Sequence, residues 1–207
     1  MTILYIDTAT TAFWNFGDDD PLSINQPHIV RLAFMEVNDG HVVAEYSNLI
    51  KVPDGVKVTD GAYLTHGINN YQLQKLGVSL PDALNPLSES VSRVLHEGNE
   101  GQLVAFSWQF HRHVLDISYR RCGFHIRPWS TPIYDVMNKG APLVGKQHQR
   151  PGKGFAFPKF DELSMKALGA VLRPTHNPKL DGLTRVRALL TMHDSCIEWW
   201  NQHGDEC

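Results

Sequence analysis

The chain has 207 residues, of which 42% are hydrophobic and 20% charged. That composition excludes wholesale disorder and supplies apolar material for a sizeable core. Nineteen Lys and Arg against 22 Asp and Glu give a formal charge of -3, which excludes a protein that coats nucleic acid through bulk charge. Any such contact has to be local. No apolar run approaches the length of a membrane span. The opening residues, Met1–Thr8, carry no basic leader and read as a core strand, not a signal peptide. Cys122, Cys196 and Cys207 are odd in number and form no CxxC, which fits a reducing cytoplasm. Eleven histidines direct attention to metal chemistry.

In chain order, Thr2–Asp7 is a β-branched and apolar run that ends in an acid. It reads as a buried strand with functional groups at its carboxyl end. His28–Val37 and His41–Leu49 are two further strands, joined by Asn38-Asp39-Gly40, a strong hairpin signal. A three-strand antiparallel meander therefore opens the chain. Pro81–His96 carries apolar residues at helical spacing, with Gly98 and Gly101 beyond it. Gln102–Phe106 is a short strand, Gln109–Cys122 a helix with apolar residues at the same spacing, closed by Gly123, and Ile133–Asp135 ends another short strand, where a helix can begin. Ala141–Pro158 reads as a loop and Lys159–Leu168 as a helix ending at Gly169. The last long helix starts at Asp181. A hairpin followed by alternating helices and strands implies one α/β domain over residues 1–207, with a mixed sheet flanked by helices.

Acids and histidines gather at three element ends: Asp7–Thr11, Phe106–His111 and His176–Asp181. Carboxylates meeting at strand ends make a hard oxygen site for a divalent cation such as Mg²⁺ or Mn²⁺. A histidine five residues before a carboxylate can take a proton from water while the carboxylate holds the metal. Taken singly each has a bland reading: Asp181 as a helix N-cap, His176 as a solvated loop residue.

Their order carries more. Tyr5-Ile6-Asp7-Thr8-Ala9-Thr10-Thr11, His28–Ala33, Thr65-His66-Gly67-Ile68, Val104–Leu115, Tyr134–Met137, Gly154–Leu163 and His176–Thr184 follow one another as the motifs of a known family do. The chain resembles the DEDD-type 3′–5′ exonucleases of the ribonuclease H-like superfold, in the branch with a catalytic histidine, and phage-encoded members most of all. The resemblance implies a ribonuclease H-like mixed sheet. It implies His176 as general base, Asp7 and Asp181 as metal ligands, and a 3′ terminus of single-stranded DNA or RNA as partner. Thr8, Thr10, Thr11, His66, Gly67 and Ile68 would lie against that terminus, with Trp108 and Phe110 as stacking faces. A homodimer is a family expectation.

The family carries four carboxylates, and two are missing. Ala9 stands where the first motif has glutamate, His111 where the second has aspartate, and Ser107 where an asparagine precedes it. Two ions roughly 4 Å apart clamp the scissile phosphate in such sites, and bridging acids offset their mutual repulsion. Asp7, His111 and Asp181 would hold at most one ion, of a softer kind than Mg²⁺. Asp116 and the Asp18-Asp19-Asp20 run give no convincing replacement. Three readings follow: an alanine introduced to freeze a nuclease, a fold kept as a noncatalytic binding module for nucleic acid or protein, or a site working with a nonstandard metal. Local positive charge is expected from Arg112, Arg120, Arg121 and Arg127, and from the loop residues Lys139, Lys146, Arg150, Lys153 and Lys159, with Phe155 and Phe157 interleaved. Glu198-Trp199-Trp200 is a candidate partner surface.

Overall fold

The computed structural model describes residues 1–15, 18, 20, 22–96, 101–124, 132–150 and 153–204. Gly98, Arg127 and Cys207, and the middle aspartate of the Asp18–Asp20 run, lie outside the described residues.

Five strands form one mixed sheet in the order β3-β2-β1-β4-β5. They are β1 (Thr2–Thr10), β2 (Ile29–Asn38), β3 (His41–Leu49), β4 (Gln102–Ala105) and β5 (Ile133–Asp135). β1 pairs antiparallel with β2, and β2 with β3. Asp39 and Gly40 take φ of 47° and 79° between β2 and β3, the positive values that a tight hairpin requires. β4 joins β1 in parallel and β5 joins β4 in parallel. The expected meander plus parallel strands is thus observed, and helices cover both faces.

Strand alternation decides what each face meets. Leu4 and Ile6 of β1, with Leu32 and Phe34 of β2, pack against α3 (Leu80–His96) and α4 (Trp108–Arg121). Tyr5, Ala33 and Met35 face the other way, onto Val186, Leu189 and Met192 of the last helix, α8 (Pro178–His203). α8 approaches closely at Gly182, where a Cβ would stand 2.3 Å from Ser47 Oγ and 3.0 Å from Arg31 Cδ. No larger residue fits between α8 and the sheet there without a shift.

Several local expectations are corrected. Two short helices precede α3: α1 (Asp60–His66), capped by the Thr59 hydroxyl, and α2 (Asn70–Leu76), with a capping box on Asn69. Each has seven residues, too few for apolar periodicity to show, although their caps are readable. α5 (Val136–Lys139) follows β5 directly, as expected, but the expected loop Ala141–Pro158 opens with a further helix, α6 (Ala141–Val144); α7 (Phe160–Leu168) comes after it. α8 begins at Pro178, not Asp181. Asn177 is its N-cap, accepting from the Leu180 amide, and Pro178 is pre-shaped for the first turn. Among the described residues no helix is long and apolar enough to cross a membrane. Trp200 is half-buried and donates to the Lys139 carbonyl, so it is partly used inside the fold.

Two buried histidines give a pH prediction. Burial, and for His28 also the charge of Arg121, lowers His28 and His193 to about 4 each. In the unfolded chain they take up protons near their ordinary value of about 6.5. Stability is therefore full above about pH 6.5 and falls as the pH drops toward 4, by at most about 1.4 kcal/mol per pH unit per histidine. Thermal melts followed by circular dichroism should show Tm declining across that window. A flat profile would mean that these imidazoles are hydrated in the folded protein.

Candidate functional site

β1, β4 and β5 run parallel, so their carboxyl ends share one edge of the sheet, the usual place for a ligand crevice in α/β folds. A cavity of about 830 Å³ opens there. Its floor carries Asp7, Thr8, Ala9 and Thr10 from β1, and Arg31 from β2. Ser107, Phe110 and His111 come from the β4–α4 junction, and Asp181, Thr184 and Arg185 from α8. Residues far apart in sequence, Asp7 and Asp181, do border one cavity as expected.

What surrounds Asp7 was not expected. It is 1% exposed, and its neighbours are guanidinium groups. Arg185 Nε donates to both carboxylate oxygens at 3.1 and 3.0 Å. Arg31 Nη2 donates to Oδ2 at 3.2 Å, and its Nη1 donates to the Pro178 carbonyl at 3.3 Å. Burial alone would raise the Asp7 pKa; the charges of Arg185 and Arg31 outweigh it and hold the carboxyl below its usual range. Arg31 is itself 2% exposed. Position 7 shares its sheet face with Tyr5, and this is why it meets α8 and Arg185.

Thr8 points to the opposite face and meets α4. Its hydroxyl lies 2.8 Å from His111 Nδ1, while His111 Nε2 lies 2.9 Å from the Phe106 carbonyl. A carbonyl only accepts, so Nε2 carries the proton and Nδ1 accepts from Thr8. Burial keeps this imidazole below its ordinary pKa although Asp7 pulls the other way. Asp181 accepts from the Thr175 amide at 3.1 and 2.9 Å and from the Thr175 hydroxyl at 2.7 Å.

The expected ligand set is thereby corrected. Asp7 is held by two arginines, Asp181 by Thr175, and both His111 nitrogens are engaged. Among the described residues no group of three His, Cys, Asp or Glu side chains is placed to hold a metal ion. These residues do not fit a divalent pair. A cation reaching Asp7 would have to displace two guanidinium groups and then sit beside them at Coulombic cost.

The remaining expected residues divide. Thr10 and His66 line the cavity. Yet His66 Nε2 donates to the Thr10 carbonyl and its Nδ1 accepts from the Ile68 amide, which fastens the end of β1 to the end of α1. Phe110 lines the cavity half-buried. Thr11 is buried outside the lining, accepting from the His28 amide. Gly67 is the left-handed C-cap of α1, backed by Pro174 of the cavity wall. Ile68 and Trp108 are core residues, packed respectively with Leu73 and Leu49 and with Val114 and Leu115. Neither is placed to touch a base. His176 is exposed and is not among the lining residues.

The basic stretches are partly engaged as well. Arg121 donates to the carbonyls of Pro27, Ser23 and Gln26, Lys146 pairs with Glu162 at 2.9 Å, and Arg112 lies 3.9 Å from Asp116. Asp18 and Asp20 cap amides of their own loop, a solvated turn.

Residues the sequence reading passed over define the site. Arg31 is the one cation in an otherwise largely apolar strand, a costly place unless it is paired. Arg185 follows Asp181 by four, hence on the same helix face. Phe160 lies under Arg185, whose guanidinium carbon is 3.8 Å from the ring centre. Asp135 accepts from the Ser107, Trp108 and Met137 amides at 3.0, 2.9 and 3.0 Å. It thereby holds Ser107 at φ 64°, an uncommon conformation for a residue with a Cβ, at the cavity's edge. Phe13 and Leu64 stand at the cavity with exposures of 75% and 81%.

No family model and no curated protein sequence matches the chain. Solved structures do. Escherichia coli exonuclease I in complex with a dT13 oligonucleotide aligns over 99% of this chain and 43% of its own length, with a TM-score of 0.67 and 15% identity. The fold is shared with exonuclease I. The zinc-bound form of the E. coli exonuclease I–single-stranded DNA complex gives a TM-score of 0.64 at 11% identity, over 98% of this chain and 43% of that one. A product-bound exonuclease I structure gives 0.60 at 13%, over 98% and 46%. The chain therefore spans less than half the length of these proteins, and at this identity the likeness is one of fold.

Proposed function

We propose that this protein engages 3′ ends of single-stranded nucleic acid through an exonuclease-type fold and does not hydrolyse them by two-metal chemistry. One observation carries the reading: the buried carboxylate of Asp7, in the last half of β1, is enclosed by Arg31 and Arg185. Exonuclease I carries a dT13 oligonucleotide in one of the structures of similar fold and single-stranded DNA in another, which supports the choice of ligand. The cavity suits it. Phe13, Leu64 and Phe110 offer apolar faces for bases, and Lys159 and Arg173 offer charge for the backbone. The arginines also bear on Ala9. A single change from glutamate would remove one acid, but it would not bring in two guanidinium groups, so the pattern favours a fold adapted to binding.

The test uses labelled single-stranded DNA and RNA oligonucleotides with a free 3′ hydroxyl. Anisotropy should report binding that weakens with salt and is reduced for a blunt duplex. Incubation with Mg²⁺ or Mn²⁺ should leave the oligonucleotides full length on a denaturing gel. Metal-dependent shortening from the 3′ end would restore the nuclease reading, and absence of binding to every oligonucleotide would remove the ligand.

A further inference from the structure

Arginine is the residue that grips a phosphate with a planar fork, and its grip is strongest when the plane is fixed beforehand. Arg185 has that form. Its Nε is committed to Asp7, and its guanidinium lies on the Phe160 ring. Phe160 is itself set edge-on against Phe106, with ring centres 5.2 Å apart. No hydrogen-bond partner occupies either Nη of Arg185 among the described residues. The side chain is 29% exposed, so this edge is reachable from the cavity that it lines. Behind it, Arg31 borders the same cavity with a buried Nε that has no hydrogen-bond partner.

The charge around the cavity agrees. Arg31, Arg173, Arg185 and Lys159 face Asp7, Asp161 and Asp181, four cations against three carboxylates. A site built for metal ions would be strongly negative and would attract a phosphate only through the metal. This one is suited to take the anion directly.

We infer that Arg185, fixed between Asp7 and Phe160 and backed by Arg31, binds a phosphate of the nucleic-acid 3′ terminus without a metal ion. The inference deepens the proposed function and rests on it for the choice of nucleic acid. The guanidinium pair then takes over the role of counter-charge to the phosphate. Asp7 holds the fork in place and does not touch the ligand.

The experiment measures binding of a fluorescent single-stranded decamer in EDTA and in Mg²⁺, with inorganic phosphate as competitor, for the unaltered protein and three variants. The unaltered protein should bind equally well with and without metal, and phosphate should displace the probe. Arg185→Gln should weaken binding by roughly 10- to 100-fold, the range for losing a charged hydrogen-bonding group. Arg185→Lys should fall between, because it keeps charge and loses the fork. Phe160→Leu should weaken binding several-fold with no change of charge; it and the lysine variant decide the matter if the glutamine variant does not fold. Binding that requires Mg²⁺, or that is unchanged in folded Arg185 variants, overturns the inference and leaves the 3′-end reading standing. If no oligonucleotide binds but phosphate raises the Tm in an Arg185-dependent way, the anion site stands and the 3′-end reading falls. If neither binds, both fall.

Discussion

Asp7→Asn should destabilise the protein by about 3–5 kcal/mol, the cost of leaving a buried charge without its partner. Arg31 is fully buried and donates to Asp7 and to one backbone carbonyl. Neutralising Asp7 leaves two guanidinium groups side by side with no carboxylate between them. The urea midpoint should drop with the m-value unchanged. A carboxylate that belonged to an acidic metal cluster would behave in the opposite sense, since removing one of several repelling acids relieves strain in the metal-free protein. The sign of the change therefore separates the two descriptions of the site. A double-mutant cycle with Arg185→Gln should show coupling of about 0.5–3 kcal/mol, with the second substitution costing less in the Asp7→Asn background. The pH profile adds a check. Because the folded-state pKa of Asp7 is depressed, its contribution is full above about pH 4 and is lost only below that. A midpoint unchanged or raised by Asp7→Asn would remove the arginine clamp from the account.

Placing carboxylates at positions 9 and 111, where the resemblance expects them, should not by itself create a metal site. In Ala9→Glu, the new carboxylate sits across from Arg31 in the β1–β2 register and has a guanidinium at hand. His111→Asp breaks the bonds to Thr8 and to the Phe106 carbonyl and adds a buried charge beside Asp7. Adding Arg31→Met and Arg185→Leu should change the outcome. Four carboxyl-bearing positions, 7, 9, 111 and 181, would then border the cavity with no arginine on Asp7. Mn²⁺ binding, read by calorimetry, should be at least tenfold tighter in the four-site variant than in the two-site one. The comparison is made on folded protein, confirmed by circular dichroism. Equal affinities would show that the arginines are bystanders.

The local signals in the sequence were good guides to position. The apolar run of β1, the Asp-Gly hairpin and the last helix placed Asp7 and Asp181 at element ends that do share a cavity. Leu84 and Leu87 of α3 and Val114 and Leu115 of α4 fall on a helical apolar spacing, and these are core residues. Where positions were right, roles were not always right. Ile68 and Trp108 sit in segments that resemble family motifs, yet packing claims them, because a position in such a segment says nothing about which way a side chain faces once the chain folds. His176 lies at the expected spacing from Asp181 but on the exposed loop before α8, whose start is set by Asn177 and Pro178.

Strand alternation, a property of the chain alone, put Asp7 and Thr8 on opposite faces of the sheet, and the apolar pattern supplied helices to cover both. That positions 9 and 111 carry no carboxylate is equally legible from the chain. The partners of Asp7 were not. Arg31 is 24 residues away and Arg185 is 178. Their hold on the carboxylate depends on distance and on exclusion of water, which no spacing in the chain encodes. Only the packing of α8 onto the sheet, at the close approach over Gly182, turned what resembled an acidic metal site into a carboxylate enclosed by guanidinium groups.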